Sequence, residues 1–152
     1  TGKELIKLIK PFNCKILSND IKNYKSFNSK YNVNRKSLNY IFRNSDVISL
    51  HLPLDNKTKN LIGTKYLKRM KNNSIFINTS RGKILNERDL YSFLSKNKSV
   101  FFGTDVLEDE PPFERKKLYN LDNFFVTPHM AGTTQQSILR GGKLCLEFLK
   151  KN

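Results

Sequence analysis

Hydrophobic residues recur along the chain with two spacings. Apolar positions three and four residues apart predict amphipathic helices, expected over residues 2–9, 37–43, 64–70, 86–96 and 133–150. Short, mainly apolar runs predict buried strands, expected over residues 14–17, 47–50, 74–78, 100–105 and 124–127. Ser37 is the expected N-cap of the second helix, and Thr133 with Gln136 forms a capping box for the last helix. Residues 21–36 are polar, which predicts a loop or a ragged helix.

The predicted strands and helices alternate, which is the pattern of an α/β fold. Strands that read as apolar runs between helices predict a parallel sheet covered on both faces. Such sheets bind ligands at the carboxyl ends of their strands. Polar residues lie at or just beyond the carboxyl ends of the predicted strands at five places, namely Asp20, His51, Asn78 with Thr79, Asp105 and His129. Because no linker or repeat divides the chain, we expect one domain with a ligand site along this edge.

The composition indicates a folded domain. Hydrophobic residues make up 38% of the 152 residues, and the chain has 11 Phe and 6 Tyr, which argues against disorder. No apolar run approaches the ~20 residues of a membrane span, so no membrane partner is expected. The two cysteines, Cys14 and Cys145, predict neither a disulfide framework nor a metal site, and a reducing, cytoplasmic compartment is the default. The chain begins with Thr1 rather than Met, so an organelle-targeting segment ahead of it stays open.

The positive charge raises the alternative of a nucleic-acid partner. The chain has 28 Lys and Arg against 13 Asp and Glu, a net charge of +15, and residues 1–76 carry +12 of it. Residues 22–43 mix basic and aromatic side chains, as a surface that binds single strands does. However, Lys and Asn together make up 39 residues, a bias that A/T-rich codons produce, and no nucleic-acid-binding motif is present. A solvated lysine surface is therefore favoured, and a nucleic-acid partner is not expected.

Several residues at the predicted ligand edge are candidates for chemistry, and each also has a simpler structural interpretation. Thr1-Gly2 opens a helix, and Asp20 ends a strand at about the spacing where a carboxylate accepts hydrogen bonds from a cofactor ribose. A turn aspartate is the alternative. Arg81 can hold a substrate carboxylate with its planar fork, or it can pair with Glu87 on the surface. His129, one of two histidines, can exchange a proton or can be structural.

Four motifs follow one another along the chain, and their order is more specific than any single residue. They read His51-Leu-Pro-Leu, Asn78-Thr-Ser-Arg-Gly, Asp105-Val-Leu-Glu-Asp-Glu-Pro and Thr127-Pro-His-Met-Ala-Gly. In this order and register they resemble the signatures of the D-isomer-specific 2-hydroxyacid dehydrogenases. The resemblance spans nearly the whole chain.

The resemblance implies a Rossmann-type, doubly wound parallel sheet in three α/β/α layers, with NAD as the cofactor. It also implies reversible hydride transfer between NAD(H) and a small D-2-hydroxy or 2-oxo acid. In the family an Arg holds the substrate carboxylate, a His exchanges a proton with the substrate oxygen, and a Glu supports that His. Those positions are Arg81, His129 and Glu110 here. The cofactor contacts carried over by motif are Thr1, Gly2, Asp20, Leu52, Pro53, Thr58, Thr79, Ser80, Arg81, Asp105, His129 and Gly132.

The chain also departs from the family pattern at its start. Of the phosphate-binding Gly-x-Gly-x-x-Gly turn, only the last two residues, Thr1-Gly2, are present. The resemblance therefore implies that residues 1–152 are an NAD-binding domain that lacks its first strand and has no substrate domain. We expect no efficient catalysis from these residues alone, and a homodimer in the full-length form. A non-catalytic NAD-binding regulatory relative is the main alternative.

Overall fold

The computed structural model describes residues 1–111 and 117–151, in which parallel strands alternate with helices. The strands are β1 (Ile16–Ser18), β2 (Val33–Arg35), β3 (Val47–Leu50), β4 (Ile75–Asn78), β5 (Phe101–Thr104) and β6 (Phe124–Val126). The helices are α1 (Gly2–Ile9), α2 (Lys25–Lys30), α3 (Leu38–Asn44), α4 (Thr64–Leu67), α5 (Glu87–Lys96) and α6 (Gln135–Lys151). Short 3₁₀ helices cover Lys10–Phe12, Gly82–Ile84 and Lys117–Asn120.

The strands pair in parallel throughout the described ranges. Strands β3, β4, β5 and β6 form one sheet in that order, and β1 pairs with β2 in a second, two-stranded sheet. The register aligns Ile48 with Phe76 and Phe76 with Phe102, so these side chains lie in one row on the same face. A parallel sheet with flanking helices confirms the Rossmann-type α/β class that the sequence predicts.

The hydrophobic core lies between one face of the four-stranded sheet and helices α3, α4 and α5. Phe42, Phe76, Phe102 and Phe124 form a row of contacting rings whose centroids lie 5.1–5.8 Å apart. Leu67 of α4 and Leu90 and Leu94 of α5 are buried against this row. This packing fixes the height of each strand, and therefore the position of the polar residues that follow it.

The opposite face of the four-stranded sheet is more exposed. The side chains of Ile75, Phe101 and Phe125 alternate with core positions and are 42%, 52% and 68% exposed. An open apolar groove of about 600 Å³ runs over this face and reaches Thr79 and Asp105 at the carboxyl edge. The exposed face therefore leads to the edge where the candidate site lies.

Side chains cap helices α3 and α5, and Ser37 is the cap that the sequence predicts for α3. The Ser37 hydroxyl accepts a hydrogen bond from the amide of Tyr40, and the Asn86 side chain accepts one from Asp89. The predicted capping box of Thr133 and Gln136 is wrong. The Thr133 hydroxyl donates to the Met130 carbonyl instead, and the Thr134 hydroxyl accepts from Ser137 at the start of α6.

Residues 21–36 contain more regular structure than a loop or a ragged helix. Helix α2 covers Lys25–Lys30 and strand β2 covers Val33–Arg35. Val33 is the buried residue of this strand, and the partner that defines it is β1, since Ile16 aligns with Val33. Local apolar periodicity does not predict such a strand because long-range pairing supplies most of its order.

Candidate functional site

The carboxyl ends of the strands hold the polar residues that the sequence places there. Asp20 lies two residues beyond β1, His51 directly follows β3, Asn78 ends β4 and Asp105 directly follows β5. His129 lies three residues beyond β6. The parallel strands therefore place all five residues at the carboxyl-terminal edges of their two sheets, as expected for a ligand site.

His129 and Glu110 form the closest polar pair of the site. The Nδ1 atom of His129 lies 2.5 Å from the Oε2 atom of Glu110. The other carboxylate oxygen of Glu110 accepts a hydrogen bond of 2.6 Å from the Leu107 amide. Because Nδ1 is engaged, the second ring nitrogen, Nε2, is the one that can face a ligand, and it has no hydrogen-bond partner among the described residues. The pair is suited to proton exchange at Nε2.

The backbone of His129 adopts a conformation that is uncommon for a residue with a side chain. Its φ angle is +50°, in the left-handed region. Its amide donates to the Thr127 carbonyl at 3.0 Å, which closes a tight turn immediately after β6. Such conformations persist only where the surrounding structure holds them in place, and they are found mainly at functional sites.

Asp105 supplies that support. Its carboxylate accepts hydrogen bonds from the Thr127 hydroxyl at 2.5 Å and from the amides of Met130 and Ala131 at 2.8 Å each. Burial raises the pKa of Asp105, but these three donors outweigh it and hold the pKa below its ordinary value. The ionised carboxylate therefore fixes the turn that carries His129. The predicted cofactor contact of Asp105 stays a prediction.

Arg81 lies on the turn after β4 and is exposed. Its Nη1 atom donates to the Ser80 carbonyl at 2.6 Å, which leaves most of the guanidinium fork available to a ligand. The buried Asn78 side chain holds the turn, because it donates to the Arg81 carbonyl and accepts from the amide and hydroxyl of Ser80. Glu87, the alternative partner that the sequence offers for Arg81, accepts a hydrogen bond from the Glu108 amide at 2.6 Å.

The turn with Arg81 packs directly against the turn with Glu110. A Cβ atom on Gly82 would lie only 1.9 Å from the carbonyl carbon and oxygen of Leu107. Only glycine permits this approach. The close contact fixes the segment that carries the candidate substrate-binding Arg against the segment that carries the carboxylate partner of His129.

The start of α1 approaches His51. A Cβ atom on Gly2 would lie 3.5 Å from the imidazole, and the Ser49 hydroxyl lies 3.0 Å from the Nε2 atom of His51. Burial of the ring lowers the pKa of His51, so its neutral form is favoured. No side chain caps the first turn of α1, which begins after Thr1. The free amides of that turn are therefore available to an anionic group.

Asp20 is exposed, and its surroundings are basic. One carboxylate oxygen accepts a hydrogen bond from the Lys22 amide at 2.8 Å. The Asp20 carbonyl accepts from the guanidinium of Arg35 at 2.6 Å. The second carboxylate oxygen has no hydrogen-bond partner among residues 1–111 and 117–151 and can accept from a ribose hydroxyl.

The remaining cofactor candidates lie on the loops after β3, β4 and β6. The Thr58 hydroxyl donates to the Pro53 carbonyl at 2.7 Å, and this bond holds the loop that begins at Leu52. Thr79 lies at the carboxyl end of the exposed sheet face and lines the same groove as Met130 and Ala131. Gly132 accepts a hydrogen bond from the Ser137 hydroxyl, and a Cβ atom on Gly132 would meet nothing within 4 Å.

These residues fit NAD as the cofactor. The uncapped first turn of α1 suits a pyrophosphate, and the exposed Asp20 carboxylate suits an adenosine ribose. The structure brings Glu110, His129 and Asp105 together through hydrogen bonds, and it joins the Arg81 turn to them through Gly82. Asp20 belongs to the sheet of β1 and β2, apart from that cluster. The residue assignments themselves stay predictions.

Sequence reasoning names Gly82 within a motif and Glu87 as a possible partner of Arg81, but it does not predict the contacts through which the two residues support the site. Gly82 permits a backbone approach to Leu107, and Glu87 holds the amide of Glu108. A glycine after an arginine and an acidic residue early in a helix are common local features. Neither carries a sequence signal of its contact, since the partners lie more than twenty positions away in the chain.

Comparisons with known proteins agree with this geometry. Residues 1–131 match the family described as D-isomer specific 2-hydroxyacid dehydrogenase, NAD binding domain. The D-3-phosphoglycerate dehydrogenase of Methanocaldococcus jannaschii is 32% identical over 99% of this chain and 29% of its own length. The hydroxypyruvate reductase of Thermotoga maritima is 35% identical over 99% of this chain and 48% of its own length. The chain thus spans less than half the length of these curated relatives.

Solved structures give the same result. The D-isomer specific 2-hydroxyacid dehydrogenase from Lactobacillus delbrueckii ssp. bulgaricus, in its NAD-complexed form, superposes with a TM-score of 0.86 and 25% identity. That match covers 96% of this chain and 47% of the other. The D-lactate dehydrogenase from Aquifex aeolicus, complexed with NAD and lactic acid, superposes with a TM-score of 0.86 and 27% identity over 98% of this chain and 49% of the other. These matches support neither a nucleic-acid-binding module nor a regulatory relative.

Proposed function

Because the chain belongs to the D-isomer-specific 2-hydroxyacid dehydrogenase family through its NAD-binding domain, we propose that the protein carrying it is an NAD-dependent dehydrogenase. It transfers a hydride between NAD(H) and a small D-2-hydroxy acid or the corresponding 2-oxo acid. The observation that carries the proposal is the pairing of His129 with Glu110 beside a turn that presents Arg81. The bound nicotinamide supplies or accepts the hydride, and the protein side chains bind the acid and move the proton.

In the proposed mechanism His129 exchanges the proton. Hydride addition to the carbonyl carbon of a 2-oxo acid develops negative charge on the carbonyl oxygen, so a proton donor must lie beside that oxygen. Glu110 accepts a hydrogen bond from Nδ1 of the protonated ring, and this leaves the Nε2 proton to be donated. In the direction of oxidation, neutral Nε2 takes the proton from the substrate hydroxyl. The hydrogen bond between Nδ1 and the Glu110 carboxylate orients the ring in both directions.

Arg81 binds the substrate carboxylate in this mechanism. A guanidinium binds a carboxylate through two parallel hydrogen bonds, which fixes the orientation of the acid as well as its position. Two contacts hold the turn after β4. Within the turn, the Asn78 side chain donates to the Arg81 carbonyl, and Gly82 packs against Leu107 of the turn after β5. These contacts therefore fix the position of the Arg81 turn relative to the Glu110 turn. Effective hydride transfer requires the bound acid to be held in such a fixed position.

The proposed assembly is a full-length homodimer in which residues 1–152 are the cofactor domain and a substrate domain lies outside them. The length of the relatives supports a further domain, since this chain spans 29–48% of them. Cys14 and Cys145 are free and exposed, which fits a reducing compartment such as the cytoplasm. Within the described ranges, no helix combines the length and hydropathy that a membrane crossing needs.

A screen of 2-oxo acids with NADH, followed by substitution of His129, tests the proposed function. In the protein that carries this chain, His129→Ala should lower kcat about 10²–10⁴-fold, the usual effect of removing a general acid–base group. Turnover that is unchanged in His129→Ala, or absent from the parent protein with every 2-oxo acid, would reject the proposal.

The cofactor assignment has its own test. Asp20→Ala should weaken NADH binding and relax discrimination against NADPH, because the carboxylate repels the extra phosphate of NADPH and accepts from the ribose. Both affinities can be followed by quenching of protein fluorescence or by calorimetry. If the ratio of the dissociation constants for NADH and NADPH is the same in the parent and the variant, Asp20 is not part of the ribose site. The assignment of His129 would not be affected.

A further inference from the structure

Glu87 connects the two turns of the candidate active site. It is the first residue of α5 and lies six positions after Arg81. Its Oε1 atom accepts a hydrogen bond of 2.6 Å from the Glu108 amide, in the turn that follows β5. Next to that amide, the Leu107 amide donates to Glu110, and Glu110 in turn pairs with His129. One carboxylate therefore holds the backbone from which the partner of His129 projects.

The hydrogen bond between Glu87 and the Glu108 amide is strong enough to fix the position of the turn after β5. A backbone N–H that donates to a carboxylate makes a shorter and stronger bond than one to a neutral acceptor. Glu87 is half-buried, and its bond joins segments 21 residues apart, so the bond does not follow from local chain geometry. Gly82 abuts the same Leu107–Glu108 peptide. Residues 81–87 thus bear both Arg81 and the support for Glu110.

We infer that Glu87 is a positioning residue of the dehydrogenase reaction, which acts on His129 through Glu108 and Glu110. The inference rests on the proposed function for its effect on turnover. Glu87 sets the position of the Glu110 carboxylate, and the Glu110 carboxylate sets the orientation of the imidazole that faces the substrate. Loss of the Glu87 hydrogen bond lets the 107–110 turn shift and misplaces the proton donor.

The test compares Glu87→Ala and Glu87→Gln with Arg88→Ala in the protein that carries this chain. Arg88 is the next residue of α5 and is exposed, which makes it the matched control. Glu87→Ala should lower kcat about 10- to 100-fold, the effect of a misplacement near 1 Å, with the Kd of NADH unchanged. Glu87→Gln should remain within about threefold of the parent, because the amide oxygen can still accept from Glu108.

A double-mutant cycle separates positioning from general stability. If Glu87 acts through Glu110, then Glu87→Ala should have little further effect on kcat in a Glu110→Ala background. The pH profile of Glu87→Ala should also move in the same direction as that of Glu110→Ala. Additive effects of the two substitutions would overturn the inference. So would a Glu87→Gln variant as impaired as Glu87→Ala, or a Glu87→Ala variant as active as Arg88→Ala.

A readout that needs no turnover keeps this inference distinct from the proposed function. The chain has two histidines, His51 and His129, so their imidazole ¹⁵N resonances can be assigned by single substitutions. Glu87→Ala should move the His129 resonances and leave those of His51 in place, whereas Arg88→Ala should move neither. Unmoved His129 resonances would overturn the inference even in an active enzyme. Moved resonances in a protein without turnover would retain the structural link from Glu87 to His129 and reject the proposed function.

Discussion

Gly82 shows how one residue without a side chain can determine the geometry of a site. A Cβ atom there would lie 1.9 Å from the Leu107 carbonyl and 2.5 Å from the Glu108 amide nitrogen, and both are backbone atoms that cannot rotate away. Gly82→Ala should therefore lower the free energy of unfolding by about 1–3 kcal/mol or more. Urea denaturation monitored by circular dichroism measures this change.

Gly103 supplies the control for that substitution. It lies in β5, and a Cβ atom on it would meet nothing within 4 Å. Gly103→Ala should change the free energy of unfolding by less than about 0.5 kcal/mol, as most substitutions at unhindered positions do. Equal destabilisation by the two alanines would show that the contact with Leu107 is not what requires glycine at position 82.

Asp105 makes the stability of the chain depend on pH. Asp105→Asn should lower the free energy of unfolding at neutral pH by about 1–3 kcal/mol, because the amide cannot accept all the hydrogen bonds from Thr127, Met130 and Ala131. The pKa of Asp105 is lowered by folding, so its contribution is complete above the unfolded pKa of about 4. It is lost as the pH falls through the lower, folded value.

Unfolding curves of the parent and the Asp105→Asn variant over a range of pH test whether the contribution of Asp105 to stability is lost as the pH falls. The difference in stability should shrink as the pH falls below about 4, the unfolded pKa of an aspartate. Asp122→Asn, at an exposed aspartate two residues before β6, should follow the parent throughout. A difference that stays constant into strong acid would contradict the role of the ionised Asp105 carboxylate.

Sequence motifs identify the residues of the site better than the contacts between them. Asp105 and His129 can be singled out because each follows a strand of the parallel sheet, where ligands bind. Their mutual dependence is not visible in the sequence, since the Asp105 carboxylate reaches the 127–131 turn only after β5 and β6 pair. The contacts of Gly82 and Glu87 are missed for the same reason. Their partners are backbone atoms of a distant turn.

At the scale of elements, the two faces of the four-stranded sheet contribute unequally to the free energy of unfolding. Phe102 is 3% exposed and stacks on Phe124, whereas its neighbour Phe101 points to the other face and is 52% exposed. Phe102→Ala should cost about 3–5 kcal/mol of unfolding free energy, as large-to-small core substitutions do. Phe101→Ala should cost less than about 1 kcal/mol. Comparable losses in chemical denaturation would mean that the exposed face is covered in solution.

The elements that the sequence predicts well are those with local signals. Helices α3 and α5 begin where the side chains of Ser37 and Asn86 cap them, and their apolar spacing faces the core. Strand β2 has no such signal, since two of its three residues are exposed and its order comes from β1. The capping box at Thr133 fails because the turn after His129 engages that hydroxyl, so Thr134 takes its place.

At the scale of the whole molecule, stabilising contacts and charge are unevenly distributed. The buried hydrophobic residues lie between Phe42 and Leu118, except for Val33. Residues 1–76 carry most of the net charge of +15, and like charges repel one another within the compact state. Among residues 1–111 and 117–151, strands β1 and β2 pair only with each other. The part of the chain that carries Asp20 therefore has fewer buried contacts to hold it.

Hydrogen exchange should reveal this difference directly. Amides of β1 and β2 should exchange through local opening at a lower free energy than amides of β4 and β5, which are paired on both sides and lie over the aromatic core. Mass spectrometry of peptic peptides resolves the two regions within one sample.

If NADH binds with its ribose at Asp20, saturating NADH should slow exchange around β1 more than around β4, because ligand binding suppresses openings that destroy the site. Equal protection of the two regions without NADH would contradict the uneven distribution of stability. Unequal protection that NADH leaves unchanged would instead reject Asp20 as a cofactor contact.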